Sequence, residues 1–190
     1  MRDPDIGVIR AKPGEDVHLL AGQVIFGQEA SRIRTLLGSC VAITLWNPQR
    51  RLGGMCHFLL PSRARTARMP RDARFGDEAV EIMMEAIQRL GTAPTEYIAH
   101  LYGGADTLPE TVGKTAFNIG ERNIEQGWTL VDRCGFRLDE VDVGDCVPRH
   151  VSLTMADGRV EMRRGASMKK EQVPGPAPRG GTTRSERVHP

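Results

Sequence analysis

Short apolar runs separated by polar turns fill the first third of the chain, a pattern typical of β-strands. Four strands are predicted there, over residues 17–26, 32–37, 40–46 and 54–60. The third and fourth are joined through a turn at Asn47-Pro48. The N-terminal part of the chain is therefore predicted to be rich in β-structure.

Farther along the chain the apolar spacing becomes helical. Residues 77–90 carry apolar side chains at every third or fourth position, with Asp77 as a plausible N-cap and Gly91 just past the end. Asn118 and Glu121 resemble a capping box that opens a second helix, which ends at Gly135. Strands are predicted at 97–102, 136–143, 150–155 and 159–162, the last two forming a hairpin over Asp157-Gly158.

This order of elements predicts an α/β protein of the α+β type, because strands and helices do not alternate regularly as they do in a doubly wound sheet. We expect one domain over residues 16–165, long enough for a full core. Residues 1–15 are predicted to be a flexible N-terminal arm. Residues 166–190, rich in Pro, Gly and Arg, are predicted to be a disordered basic tail.

Composition and charge narrow the class of protein. The chain of 190 residues is 39% apolar and 26% charged, and no apolar run approaches the ~20 residues that cross a bilayer. The start is polar and unlike a secretory signal, so we expect a cytoplasmic protein without membrane insertion. The net charge of +2 comes mainly from the C-terminal tail. A near-neutral body argues against nucleic-acid binding.

The four cysteines lie far apart, without a C-x-x-C pair or histidines at zinc-finger spacing. We therefore predict neither structural zinc nor a disulfide framework. His18, His100 and His150 are scattered and form no ligand pattern. At least one thiol is expected to be free for chemistry.

Cys40 and His57 are the candidate chemical pair. They flank the hairpin of the third and fourth strands, which can return the imidazole to the thiol. A thiolate is the attacking species in cysteine hydrolases, so the cysteine needs a base that lowers its effective pKa. Small residues, among them Gly53 and Gly54, are expected to leave access to the thiol.

Less specific interpretations stay open for the same residues. A buried, hydrogen-bonded His57 and an inert Cys40 are an ordinary alternative. Thr35 is a candidate third member that orients the imidazole, although a threonine also suits a strand by β-propensity alone. Cys56 is expected to face away from His57, since successive strand side chains alternate, and to belong to the core.

Longer motifs resemble those of the CheD family of chemoreceptor glutamine deamidases. They comprise TLLGSCVAITLWNP at 35–48, GGMCHFLLP at 53–61, YGGA at 102–105, IGERN at 119–123, and DVG at 142–144 followed by Arg149. The similarity covers about residues 17–162. It implies packed mixed β-sheets flanked by helices, akin to the catalytic domain of cytotoxic necrotizing factor.

The resemblance also implies chemistry and partners, and a reaction that needs no metal or cofactor. Cys40 would be the nucleophile, His57 the general base and acid, and a strand threonine the third member, with backbone N–H groups near Ser39 and Cys40 as oxyanion donors. The substrates would be glutamines of methyl-accepting chemotaxis receptors. A CheC-type phosphatase is a partner of some members.

Two other functions compete with this one. The first is an adaptor that binds receptors or a CheC-type phosphatase with little turnover. The second is a cysteine protease or amidase acting on small substrates. Five arginines between Ser62 and Arg74 further predict a flexible basic loop, which could steer acidic receptor helices toward the site.

Overall fold

The computed structural model describes residues 5–106 and 118–166. These residues form nine strands and two α-helices, with a short 3₁₀ turn at Pro94–Glu96. The strands are β1 Glu15–His18, β2 Gln23–Gly27, β3 Ala30–Leu37, β4 Val41–Asn47, β5 Leu52–Phe58, β6 Ile98–Gly103, β7 Arg137–Val143, β8 Arg149–Thr154 and β9 Val160–Arg164. The helices are α1 Gly76–Arg89 and α2 Ile119–Cys134.

The strands form two mixed sheets. One has four strands in the order β1-β3-β8-β9, and the other has five in the order β2-β5-β4-β6-β7. Each contains one parallel pair, β1 with β3 and β6 with β7. The prediction of an α+β protein with packed mixed sheets and flanking helices is confirmed.

The five-stranded sheet is covered on both faces. Residues of α1 and α2 form one core with one face, and the four-stranded sheet forms a second core with the other. Every residue of β4 and β5 is buried. Because these strands are enclosed on both sides, side chains on their inner face lie in a low-dielectric region between the sheets.

Several predicted details are confirmed and explain how the chain turns. Asn47 accepts hydrogen bonds from the backbone N–H groups of Gln49 and Arg50, at 3.1 and 3.0 Å, which fixes the β4–β5 turn. Asn118 caps α2 by accepting from the N–H of Glu121 at 3.1 Å. Gly135 ends that helix in a left-handed conformation.

Two element predictions are wrong. The single strand predicted over 17–26 is two strands in different sheets, because Gly22 adopts a positive φ of 80° and the chain turns there. The first helix begins at Gly76, with Phe75 as its N-cap residue. Asp77 lies in the first helical turn, where a carboxylate is favoured by the helix dipole.

Part of the N-terminal segment predicted to be a flexible arm is hydrogen-bonded to β2 in the residues that the structure describes. Ile9 donates to the carbonyl of Val24 at 2.8 Å, and Val24 donates to that of Gly7 at 2.9 Å. Since β2 is an edge strand, its free backbone groups bind the N-terminal segment. Residues 1–4, and the predicted tail from 167 onward, lie outside the described residues.

The basic segment after β5 is also not free as predicted. Arg63 makes a two-point ion pair with Glu78 of α1, at 2.6 and 3.0 Å. Arg65 pairs with Glu81 at 2.7 Å, and Arg71 pairs with Asp5 at 2.6 Å. Because carboxylates neutralise these arginines, the segment loses most of the charge on which the steering hypothesis depends.

Candidate active site

Thr35 and His57 are in direct contact although they belong to different sheets. Thr35 Oγ1 lies 2.8 Å from Nδ1 of His57, and both side chains are buried, at 2% and 3% exposure. Alternation along β3 points Thr35 toward the other sheet, together with Ile33 and Leu37, while Arg34 faces outward. The inward direction of Thr35 is thus set by the strand pattern.

The hydrogen bonds of Thr35 define which nitrogen of His57 carries the proton. Thr35 Oγ1 also lies 2.7 Å from the carbonyl oxygen of Leu19. A carbonyl only accepts, so the hydroxyl hydrogen points to Leu19 and the hydroxyl oxygen accepts from Nδ1–H of His57. The lone pair of the neutral ring is then on Nε2, which is buried and makes no hydrogen bond to a described residue.

Cys40 lies at the end of the connection from β3 to β4, which crosses from one sheet to the other. Ala42 pairs directly with His57 in the β4–β5 ladder. Cys40 is two residues before Ala42 and packs against the same cluster between the sheets. This register and the packing of Cys40 place the thiol and the imidazole on the same face of the five-stranded sheet.

Cys56 lies on the opposite face, as predicted. It is fully buried in the core beneath the helices, and burial raises the pKa of its thiol to about 12. Gly53 and Gly54 do not provide access to Cys40. A Cβ atom at either position would approach a backbone oxygen of a neighbouring strand, Leu45 or Ile25, to about 2 Å.

The ionisation of the pair differs from the expectation of an activated thiolate. Burial lowers the pKa of His57 to about 4, while the nearby backbone carbonyl of Leu19 opposes this shift and the neighbouring His18 adds to it. Burial also raises the pKa of Cys40 above its ordinary value. At neutral pH the pair is therefore a neutral thiol and a neutral imidazole.

Three successive carbonyls around Cys40 are held by hydrogen bonds. Ala105 N–H donates to Gly38 O at 2.9 Å, and Gly104 N–H donates to Cys40 O at 2.8 Å. The side chain of Asn123 donates to Ser39 O at 3.2 Å. We call residues 38–40 the nucleophile loop.

Sequence reasoning missed these supports, although their residues lie within the quoted motifs. Gly103 and Gly104 have φ values of 114° and 67°, and a Cβ at Gly103 would approach Cys40 O to 2.2 Å. The glycine pair thus allows close contact with the nucleophile loop. A glycine-rich turn after a strand is a detectable signal, but it does not reveal which segment it contacts.

The sequence of this chain is similar to those of one protein family. The family model described as CheD chemotactic sensory transduction matches residues 59–164. A Chromobacterium violaceum protein, named probable chemoreceptor glutamine deamidase CheD 1, is 40% identical over 161 residues, which are 85% of this chain and 83% of that protein. A Pseudomonas syringae pv. syringae protein, named probable chemoreceptor glutamine deamidase CheD, is 39% identical over 149 residues, 78% of this chain and 84% of its own.

Solved structures show weaker likeness. The Bacillus licheniformis hypothetical protein YfiH is 11% identical with a TM-score of 0.39, over 73% of this chain and 62% of its own. The Neisseria meningitidis protein NMB0706 is 8% identical with a TM-score of 0.41, over 75% and 64%. The family-model match over more than half of the sequence, with 40% identity to a relative along most of its length, shows that this chain belongs to the CheD family.

Proposed function

We propose that this protein is a chemoreceptor glutamine deamidase in which Cys40 is the nucleophile and His57 the general base and acid. The observation that carries the proposal is the Thr35–His57 contact, which leaves the lone pair of Nε2 unpaired among the described residues, while Cys40 packs against the cluster between the same two sheets. The names of the relatives supply the substrate class, a glutamine side chain of a chemoreceptor.

Acylation begins from the neutral pair. Cys40 Sγ attacks the side-chain carbonyl carbon of glutamine while its proton passes to Nε2 of His57. The tetrahedral intermediate then collapses, the C–N bond breaks, and ammonia leaves with the proton returned from His57. Because both pKa values disfavour a resting ion pair, proton transfer accompanies the attack instead of preceding it.

Deacylation uses the same imidazole. A water molecule attacks the thioester carbonyl and gives one proton to Nε2 of His57. The C–S bond breaks, and the sulfur regains its proton from His57, so that glutamine and water become glutamate and ammonia. Throughout, Thr35 holds the ring with Nδ1–H directed away from the reacting atoms.

The nucleophile loop supports the proposed oxyanion donors. The described peptide bonds are trans, so each N–H points opposite to the carbonyl of the same peptide unit. The carbonyls of Gly38 and Ser39 are held by Ala105 and Asn123, and the N–H groups of Ser39 and Cys40 are therefore directed away from these supports. A pair of N–H groups beside the nucleophile suits the developing oxyanion.

We place this reaction in the cytoplasm. None of the four cysteines forms a disulfide in the described part of the chain, as expected in a reducing compartment. No helix in the described part of the chain is long and apolar enough to cross a membrane. A CheC-type phosphatase remains a predicted partner.

An adaptor without turnover is less well supported, because docking alone does not require a buried threonine and histidine in direct contact. Each buried polar group costs free energy unless it is paired. A protease or small-molecule amidase would use the same Cys40–His57 pair, so its substrate is what distinguishes it from a receptor deamidase.

The deciding experiment incubates the protein with a purified receptor signalling domain and follows mass. Conversion of amide to acid adds ~1 Da at each modified glutamine. Cys40→Ala should abolish the conversion, whereas Cys56→Ala is a matched control on the opposite face of the same sheet and should retain it. Free glutamine and short peptides should react far more slowly. Receptor that stays unmodified by the wild type would overturn the proposal.

A further inference from the structure

Asn123 is a buried polar side chain on the inner face of α2. It is 0% exposed, and its Nδ2 donates to two backbone carbonyls, Leu59 O at 2.8 Å and Ser39 O at 3.2 Å. Both partners are acceptors, which fixes the orientation of the amide. One side chain thus ties α2 to the nucleophile loop and to the chain two residues beyond His57.

The surface of α2 around Asn123 is built for close approach. Gly120 and Gly127 lie on the same helical face, one turn before and after it. A Cβ at Gly120 would approach Gly104 O to 2.6 Å, and one at Gly127 would approach Leu101 Cδ1 to 2.7 Å. The two glycines bring the helix near enough for a side chain as short as asparagine to reach the loop.

We infer that Asn123 is a positioning residue for the deamidation step. By holding the Ser39 carbonyl, it turns the N–H of Cys40, which belongs to the same peptide unit, toward the oxyanion position. By holding the Leu59 carbonyl as well, it fixes the nucleophile loop relative to the strand end that carries His57. Backbone groups hold the carbonyls on either side of Ser39, so Asn123 is the support that a side-chain substitution can remove.

This inference rests on the proposed function, and its test separates the two. Asn123→Asp keeps the shape but replaces the donor by a carboxylate facing two carbonyl oxygens. We expect kcat on the receptor domain to fall roughly 10–100-fold with KM within about 2-fold, because the misdirected N–H acts on the transition state. Alkylation of Cys40 by iodoacetamide forms no oxyanion, so its rate should stay within about 3-fold of wild type.

A pH profile adds a readout that a purely structural role would not move. A buried aspartate at 123 becomes protonated as the pH falls, and its O–H can then donate to one carbonyl. The kcat of Asn123→Asp relative to wild type should therefore rise toward lower pH. Asn123→Leu, which cannot donate at any pH, should show no such recovery.

Asn118→Ala is the matched control, since it removes another asparagine of α2 that caps the helix and contacts Glu121 instead of the loop. It should lower the free energy of unfolding, because the helix loses its N-cap, and leave kcat unchanged. If Asn123→Asp does not fold, Asn123→Ser is measured by the same criteria. Wild-type kcat in the folded variant, or an equal fall of kcat and alkylation rate, would overturn the inference. Absence of deamidation by the wild type would instead refute the proposed function.

Discussion

Thr35 Oγ1 accepts a hydrogen bond from Nδ1 of His57 across the gap between the two sheets, at 2.8 Å. The same hydroxyl donates to Leu19, so the direction of both bonds is determined. A neutral histidine with its lone pair on Nε2 is the form that can accept a thiol proton. In the proposed mechanism, the contact between the sheets thus orients His57 before any substrate binds.

Removing the hydroxyl of Thr35 should loosen the orientation of the His57 ring and slow turnover. Thr35→Val keeps the shape but leaves Nδ1 of His57 and the Leu19 carbonyl without their partner. We expect kcat to fall roughly 10–100-fold, the effect of a buried hydrogen bond worth about 1–3 kcal/mol. Deamidation of the receptor domain followed by mass spectrometry measures the change.

Thr35→Ser retains the hydroxyl and is the control for that experiment. It should keep most of the wild-type kcat, while His57→Asn should lose roughly 10²–10⁴-fold as the base itself is removed. Equal rates for Thr35→Val and wild type would refute an orienting role for Thr35.

Cys40 and Cys56 should respond in opposite ways to the same substitution. Cys40→Ala removes a partly exposed nucleophile, so turnover is lost while thermal stability is kept. Cys56→Ala creates a small cavity in the core, costing roughly 1 kcal/mol of unfolding free energy with kcat unchanged. Calorimetry and the mass assay together test both, and turnover by folded Cys40→Ala would refute the mechanism.

The sequence predicts the Cys40–His57 pair because it depends on local structure. Two apolar strands and the Asn47 turn define a hairpin, whose register pairs His57 with Ala42, two residues beyond Cys40. The Thr35–His57 contact depends on how two sheets pack, and the Asn123 contacts depend on how a helix approaches a loop. Such non-local contacts leave only indirect signals, here an inward strand threonine and an asparagine between helical glycines.

The contacts of the N-terminal segment and of the arginine segment cannot be predicted from the sequence, for a related reason. Polar composition indicates exposure, but it does not indicate which partner a polar group binds. Val24 supplies an unpaired strand edge for the N-terminal residues, and α1 supplies carboxylates for the arginines. Both partners lie far away in the sequence.

The Arg63–Glu78 pair should therefore matter for stability more than for substrate encounter. Glu78 is 1% exposed, and it also accepts from the N–H of Asp72 at 2.8 Å. Arg63→Met removes the two-point partner of this buried carboxylate and leaves Arg65, 3.5 Å away, as its remaining cation, which should lower the free energy of unfolding measurably. Denaturant unfolding measures the loss, and Glu78→Gln combined with Arg63→Met should recover part of it. A change below about 0.5 kcal/mol would indicate a solvated surface pair.

The pH dependence of Cys40 alkylation tests the neutral resting pair. Burial raises the pKa of Cys40 and lowers that of His57 to about 4, so between these values neither group is charged. The rate of reaction with iodoacetamide depends on the thiolate fraction and should keep rising with pH beyond the ordinary thiol range. A thiolate–imidazolium pair would instead give a plateau of high reactivity from weakly acid pH upward, and that result would refute the neutral pair. Peptide mapping assigns the alkylated cysteine, with Cys40→Ala as the control for reaction at the other three.

The pKa of His57 also predicts the acid limit of turnover. The kcat/KM on the receptor domain should fall as the pH drops through about 4, because His57 becomes protonated and can no longer accept the thiol proton.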